Sequence, residues 1–100
     1  MEPHARKLLT IVTEAALEGK ILRDLEQLGT RGHTITDARG KGRRGVRDAG
    51  WEASANIRVE VVCDAGTAQA VSAYLREHYY RDYAMTVWVI DVEVLRPEKF

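Results

Sequence analysis

Four runs along the chain have the pattern of buried or half-buried β-strands. The first is almost continuously apolar, and the second is β-branched with polar residues between. The third alternates, with Ile57, Val59 and Val61 on one side and polar residues on the other. The last is long and valine-rich, and Pro97 follows it. The pattern predicts four strands, at residues 8–12, 33–38, 55–61 and 85–95.

The segment after the first run has the spacing of an amphipathic helix. Its large apolar residues recur every three or four positions, which places them on one face. Thr13 is a candidate N-cap, with Glu14 at the positive end of the helix dipole. Gly29 stands where a left-handed helix stop is expected. The predicted apolar face comprises Leu17, Ile21, Leu25 and Leu28.

A second amphipathic helix is predicted between the third and fourth runs. Asp64 and Thr67 are both candidate N-caps. Residues 79–83 are aromatic and polar, and predict a turn before the last strand. The apolar stripe of this helix comprises Ala68, Val71, Leu75 and Tyr79.

The predicted order is strand, helix, strand, long loop, strand, helix, strand. This is the split β-α-β arrangement of ferredoxin-like α+β domains, with antiparallel strands and both helices on one face. A chain of 100 residues accommodates one such domain, spanning residues 1–100.

The last predicted strand is apolar on both faces, although two helices can cover only one face of the sheet. One face carries Val87 and Val89, and the other carries Trp88, Ile90, Val92 and Val94. A second cover must therefore come from another subunit, and we expect a homo-oligomer.

Composition narrows the functional classes. Fifteen basic residues balance fifteen acidic ones, and a pI near 6.8 argues against general nucleic-acid binding. No apolar run approaches the length of a membrane span, and no secretory signal is expected. The single cysteine, Cys63, excludes an internal disulfide, fits a reducing cytoplasm and has the apolar neighbours of a packed thiol.

Charge is concentrated in residues 39–47, which hold five basic residues, three glycines and no acid. Glycine allows backbone N–H groups to turn toward a bound group, and arginine supplies forked donors that match phosphate. The segment therefore predicts a site for a small anion, above all a nucleotide phosphate. The alternative is a solvated basic loop without a ligand. Residues 40–54 carry four glycines and predict a long, mobile loop.

Several segments together resemble the PII-like signalling proteins. The resemblance is closest to the branch linked to inorganic carbon, namely bicarbonate-transporter regulators and carboxysome-associated PII-like proteins, and it runs in register over almost the whole chain. It is most specific at the Gly-Lys-Gly-x-Arg-x-Val-Arg run. The segments are residues 7–14, 32–35, 40–47, 55–57 and 82–84.

The resemblance implies a trimer of ferredoxin-like units, with nucleotide in the clefts between subunits and open sheet faces turned inward. It implies a non-enzymatic sensor of ADP or AMP, with ATP or cyclic AMP as alternatives, and bicarbonate as a second ligand. The long loop after the second strand, the T-loop (about residues 41–54), would contact a bicarbonate transporter or a carboxysome-related protein. A bacterial cytoplasmic location is implied, at the membrane when a transporter is bound, with no covalent cofactor, metal or nucleic acid.

The resemblance also assigns site residues. Thr34 and the backbone near Val62 border the adenine. The turn that closes the cleft from the neighbouring subunit comprises Tyr83, Ala84 and Met85. The phosphate side comprises Lys41, Gly42, Arg44 and Arg47, together with Gly40, Gly45 and Val46.

The chain departs from ordinary PII proteins in three places. Residues 40–54 contain no tyrosine, so uridylylation of this loop is not expected. Asn56 stands where those proteins carry a phosphate-binding lysine, and lysine is absent around Met85. The missing positive charges favour AMP, ADP or cyclic AMP over tight ATP binding.

Other functions fit the residues less well. Acylphosphatases share the architecture, but their glycine-flanked signature is absent, which leaves slow nucleotide hydrolysis as the enzymatic alternative. A metal-binding trimer is a second alternative, although His4, His33 and His78 form no ligand motif. An RNA-binding module would display aromatic residues on its central strands, whereas the polar side of the third strand carries Asn56, Arg58 and Glu60.

Overall fold

The computed structural model describes residues 3–40 and 55–100. Within them the chain forms a four-stranded sheet and two α-helices, which confirms the predicted ferredoxin-like fold. A 3-10 turn, Ala15–Leu17, precedes the first helix, and another, Pro97–Lys99, follows the last strand. The elements are β1 (His4–Glu14), α1 (Glu18–Gln27), β2 (Thr34–Ala38), β3 (Asn56–Cys63), α2 (Ala65–His78) and β4 (Thr86–Val94).

The strands lie in the order β2-β3-β1-β4, and every neighbouring pair is antiparallel. Leu9 of β1 is paired with Val61 of β3 on one side and with Val89 of β4 on the other. Because side chains alternate along a strand, this register assigns each residue to the helix-covered face or to the opposite, open face.

The core lies between the sheet and the two helices. Each predicted helical stripe supplies core residues, although Leu28 is only partly buried. Burial of these side chains is the main stabilising contribution to the fold. The enclosed aliphatic residues of the sheet are Leu9, Ile11, Ile57, Val59 and Val61, and the helices add Ile21, Leu25, Val71 and Leu75.

The prediction that Thr13 caps the first helix is wrong. β1 continues to Glu14, because Thr13 pairs with Ile57 and Glu14 with Asn56. The Thr13 side chain is fully buried, and its hydroxyl donates to the carbonyl oxygen of Ala84 at 3.1 Å. Glu14 is the residue that precedes the 3-10 turn, and within the described residues its side chain makes no capping hydrogen bond.

The predicted start of α2 and the predicted end of α1 agree with the structure. Asp64 is the N-cap of α2 and accepts a hydrogen bond from the backbone N–H of Thr67 at 2.7 Å. That N–H, by stabilising the carboxylate, lowers the pKa of Asp64. Gly29 has φ +99°, the left-handed conformation expected at the end of α1.

Cys63 is buried at the end of β3, as its apolar neighbours predicted. Burial, followed by the charge of Asp64, raises the pKa of its thiol. A buried thiol with a raised pKa is a poor nucleophile, so Cys63 is a packing residue.

Candidate functional site

A cleft of about 280 Å³ lies on the open face of the sheet, next to the edge strand β2. It brings together Thr34 and Val62, the two residues predicted to border an adenine ring. The sequence separates these two residues by 28 positions, so the strand pairing is what unites them. The lining residues are Leu8, Gly32, His33, Thr34, Glu60, Val62 and Phe100.

The sheet register explains how three strands supply this cleft. Thr34 of β2 is the partner of Glu60 in β3, and Val62 of β3 is the partner of Leu8 in β1. All four residues alternate with core residues and therefore point to the open face. Neighbouring strands lie about 4.8 Å apart, so these side chains span a floor of about 10 Å.

The rim of the cleft comes from two segments outside the sheet. The loop after α1 contributes Gly32 and His33. The 3-10 turn after β4 brings in Phe100, which no sequence pattern singled out. Arg31 ties the two segments together, because its guanidinium donates to the carbonyl oxygen of Glu98 at 3.1 Å.

The chemistry of the lining suits a flat heterocyclic ring. Leu8, Val62 and Phe100 provide apolar surface for the ring faces. Thr34 offers a hydroxyl that can donate or accept, and the Glu60 carboxylate accepts from an exocyclic amino group. A phosphate would be repelled by Glu60, so an anionic group must lie elsewhere along the strands.

The edge strand leads from the cleft toward the basic segment. β2 runs over about 13 Å from Thr34 to Ala38, and Gly40 follows shortly after. A Cβ at Gly40 would meet no atom of the described residues within 4 Å. The remaining predicted phosphate-side residues, Lys41, Gly42, Arg44, Gly45, Val46 and Arg47, lie outside the described residues.

The predicted closing turn, Tyr83, Ala84 and Met85, does not line the Thr34 cleft of its own chain. Ala84 accepts its hydrogen bond from Thr13, near the end of the sheet where Asn56 pairs with Ala38. The turn therefore lies at the same end of the sheet as the connection between β2 and β3. Its contribution to a neighbouring subunit's cleft stays a prediction.

Tyr79 fixes this turn to the helical layer. Its ring is fully buried, and its hydroxyl donates to the carboxylate of Asp24 on α1. Its carbonyl oxygen accepts from the backbone N–H groups of Asp82 and Tyr83 at 3.1 and 3.0 Å. Burial, followed by the hydrogen bond to Asp24, raises the pKa of Tyr79 well above its usual value.

No group of three or more His, Cys, Asp or Glu residues within 3–40 and 55–100 could hold a metal ion. Of the three histidines, His33 is the one that lines the cleft. No helix among the described residues is long and apolar enough to cross a membrane.

Comparison with known proteins agrees with the fold and with the resemblance. The family model described as nitrogen regulatory protein P-II matches residues 6–99. A protein of Thermus thermophilus, described as a PII-like signalling protein, is 40% identical with a TM-score of 0.86, over 100% of this chain and 99% of that one. CPII of Thiomonas intermedia, solved with ADP and bicarbonate, is 24% identical with a TM-score of 0.87, over 99% and 97% of the two chains. A further CPII structure, with ADP, AMP and bicarbonate, has a TM-score of 0.86 and 24% identity, over 99% and 96%.

Proposed function

The chain belongs to the P-II family of nitrogen regulatory proteins as a PII-like signalling protein, and from that premise we propose that it senses adenine nucleotides in clefts between the subunits of a homotrimer. The proposed ligands are ADP and AMP, with bicarbonate bound alongside. The proposed role is signalling, not catalysis.

The observation that carries this proposal is the cleft that unites Thr34 with Val62. Its apolar surfaces and the hydrogen-bonding side chains of His33, Thr34 and Glu60 suit an adenine ring. CPII, which shares the fold, was solved with ADP, AMP and bicarbonate. These two findings support an adenine nucleotide as the ligand of this chain.

The open face of the sheet supports the trimer. Trp88 is 41% exposed and Ile90 is 49% exposed in the isolated chain, and Ile90 pairs with the cleft-lining Leu8. Exposed large apolar residues on one sheet face are typical of a subunit interface. A neighbouring subunit would cover this face, and its turn at residues 83–85 would complete the nucleotide cleft.

The phosphates, in this proposal, are held by Lys41, Arg44 and Arg47 with the glycine N–H groups of residues 40–45. Ligand binding would order the T-loop and change the surface offered to a partner protein. The proposed partner is a bicarbonate transporter or a carboxysome-related protein, so that inorganic-carbon uptake responds to the adenylate pool.

Isothermal calorimetry tests the ligand and the phosphate site together. The wild-type protein is titrated with AMP, ADP, ATP and cyclic AMP, each with and without bicarbonate. Arg44→Ala and Arg47→Ala should each weaken ADP binding by roughly 1–3 kcal/mol, the range for a lost charge-assisted hydrogen bond. Arg76→Ala, on the exposed side of α2, is the matched control and should bind as wild type. Unchanged affinity in both loop variants would contradict the assignment.

A further inference from the structure

The segment after β4 is held in a 3-10 turn by its own backbone hydrogen bonds. The N–H of Lys99 donates to the carbonyl of Arg96 at 3.1 Å, and the N–H of Phe100 donates to the carbonyl of Pro97 at 3.0 Å. Pro97 favours such a turn because its ring fixes φ. Phe100 follows this 3-10 turn and lines the cleft.

Two arginines from other elements hold this segment. Arg31 donates to the carbonyl oxygen of Glu98 at 3.1 Å, across 67 positions of sequence. Arg6 of β1 donates to the carbonyl oxygen of Pro97 at 3.4 Å, across 91 positions. Hydrogen bonds from a charged donor are stronger than neutral ones. The loop that carries Arg31 also carries residues 32 and 33, so one tether joins both rims of the cleft.

Phe100 is partly buried, which leaves part of its ring free for a ligand. Among the described residues that line the cleft it supplies the one phenyl ring, while Leu8 and Val62 form the apolar floor. Aromatic side chains provide stacking surface that any base can use. Glu60 and Thr34 supply the hydrogen-bonding edge next to that surface.

We propose that Phe100 is a base-contacting wall of the nucleotide cleft, and that Arg31 is a positioning residue that holds it there through the carbonyl of Glu98. This inference rests on the proposed nucleotide-binding function and adds residues to it. The ligand class is a purine nucleotide, recognised at its base. Because the contact is with the base, its loss affects AMP and ADP by the same factor.

The first test is calorimetry of Phe100→Ala with AMP and with ADP. We expect affinity to fall roughly 5- to 150-fold for both, as for a lost base–aromatic contact. Phe100→Tyr, which keeps the ring, should bind within about twofold of wild type. Arg76→Ala, a truncation on the exposed side of α2 that leaves the cleft lining intact, is the matched control, with wild-type affinity expected.

The second test asks whether Arg31 acts through Phe100. Arg31→Gln should weaken binding in the wild-type background and should have no further effect in a Phe100→Ala background. Additive losses in the double variant would show that Arg31 contacts the ligand directly, and would overturn its positioning role.

The outcomes separate this inference from the proposed function. If the wild-type protein and Arg76→Ala bind ADP while Phe100→Ala binds equally well, the assignment of Phe100 is wrong and the proposed function stands. If the wild-type protein binds no adenylate, both fail. Light scattering is run on each variant, and dissociation of Phe100→Ala into monomers would assign Phe100 to a subunit interface and overturn the inference.

Discussion

Thr13 and Asp64 carry similar local signals but have different roles in the folded protein. Both have a side-chain oxygen suited to a helix N-terminus. The side chain of Asp64 is free to accept the Thr67 N–H, because β3 has ended at Cys63 and the chain has left the sheet. Thr13 is still paired with Ile57, so its hydroxyl is buried and bonds the carbonyl of residue 84 instead. Whether the backbone is still paired in the sheet or has left it decides which partner such a side chain reaches.

Tyr79 is the residue whose hydroxyl joins the two helical elements, through Asp24. Tyr79→Phe removes this hydrogen bond and leaves the ring in place. We expect the free energy of unfolding at pH 7 to fall by roughly 1.5–3 kcal/mol, the range for a hydrogen bond to a charged group. Urea unfolding measures the change, with Tyr80→Phe, at a 44% exposed position, as the control.

The same substitution has a predicted pH signature. The raised pKa of Tyr79 means that the folded protein keeps the phenolic proton while the unfolded chain releases it near pH 10. Wild-type stability should therefore be insensitive to this group below about pH 10 and decline as the pH rises above it. Tyr79→Phe should show a shallower decline there. Parallel wild-type and variant profiles above pH 10 would contradict this role.

At the scale of elements, pairing partners set the strand lengths. β1 is central, and its residues pair with β3 on one side and β4 on the other. It therefore extends over His4–Glu14, beyond the apolar run at residues 8–12 that predicted it. Within the described part of the chain, β2 pairs with β3 alone and spans five residues. Polar residues join a strand when a neighbouring strand satisfies their backbone groups.

The end of α1 is a second element-scale feature. Gly29 has a positive φ, and Thr30 donates its N–H to the carbonyl of Leu25 at 3.1 Å as the helix closes. Gly29→Ala forces a Cβ into the left-handed region, and should lower the free energy of unfolding by roughly 1–2 kcal/mol. Gly19→Ala in α1 is the control, because its Cβ would lie 3.4 Å from the flexible tip of Arg23. That variant should be neutral or up to about 1 kcal/mol more stable. Thermal melts compare the two, and equal melting temperatures would contradict the expectation.

At the scale of the whole molecule, one face of the sheet is left uncovered by the two helices. They cover Val87 of β4, while Trp88 and Ile90 remain 41% and 49% exposed on the opposite side. The chain therefore has a second apolar surface that the proposed trimer would bury.

Ile90→Asp tests this surface. A charge at the centre of a buried interface is costly, so we expect the variant to be monomeric and to lose nucleotide binding with the intersubunit cleft. Size-exclusion chromatography with light scattering measures the mass. Ala73→Asp, on the exposed side of α2, introduces the same charge and should remain trimeric. A wild-type protein that is itself monomeric would refute the proposed assembly.

The sequence alone was sufficient to predict the elements, their order and the two faces of the sheet. Those features depend on periodicities of two and about 3.6 residues, which a short window of sequence within each strand or helix displays. It also supplied Thr34 and Val62, which the structure places in one cleft. The assignment of the basic segment to phosphate binding stays a prediction.

Only the tertiary structure decided which distant residues meet. Thr13 bonds Ala84 across 71 positions, and Arg31 bonds Glu98 across 67. Such pairs leave no local sequence pattern, because each contact depends on the positions that core packing gives to entire strands and turns. For the same reason the sequence of residues 96–100 does not predict that Phe100 lines the cleft. The helix and the strand that bring its neighbours there were predictable from their own periodicity.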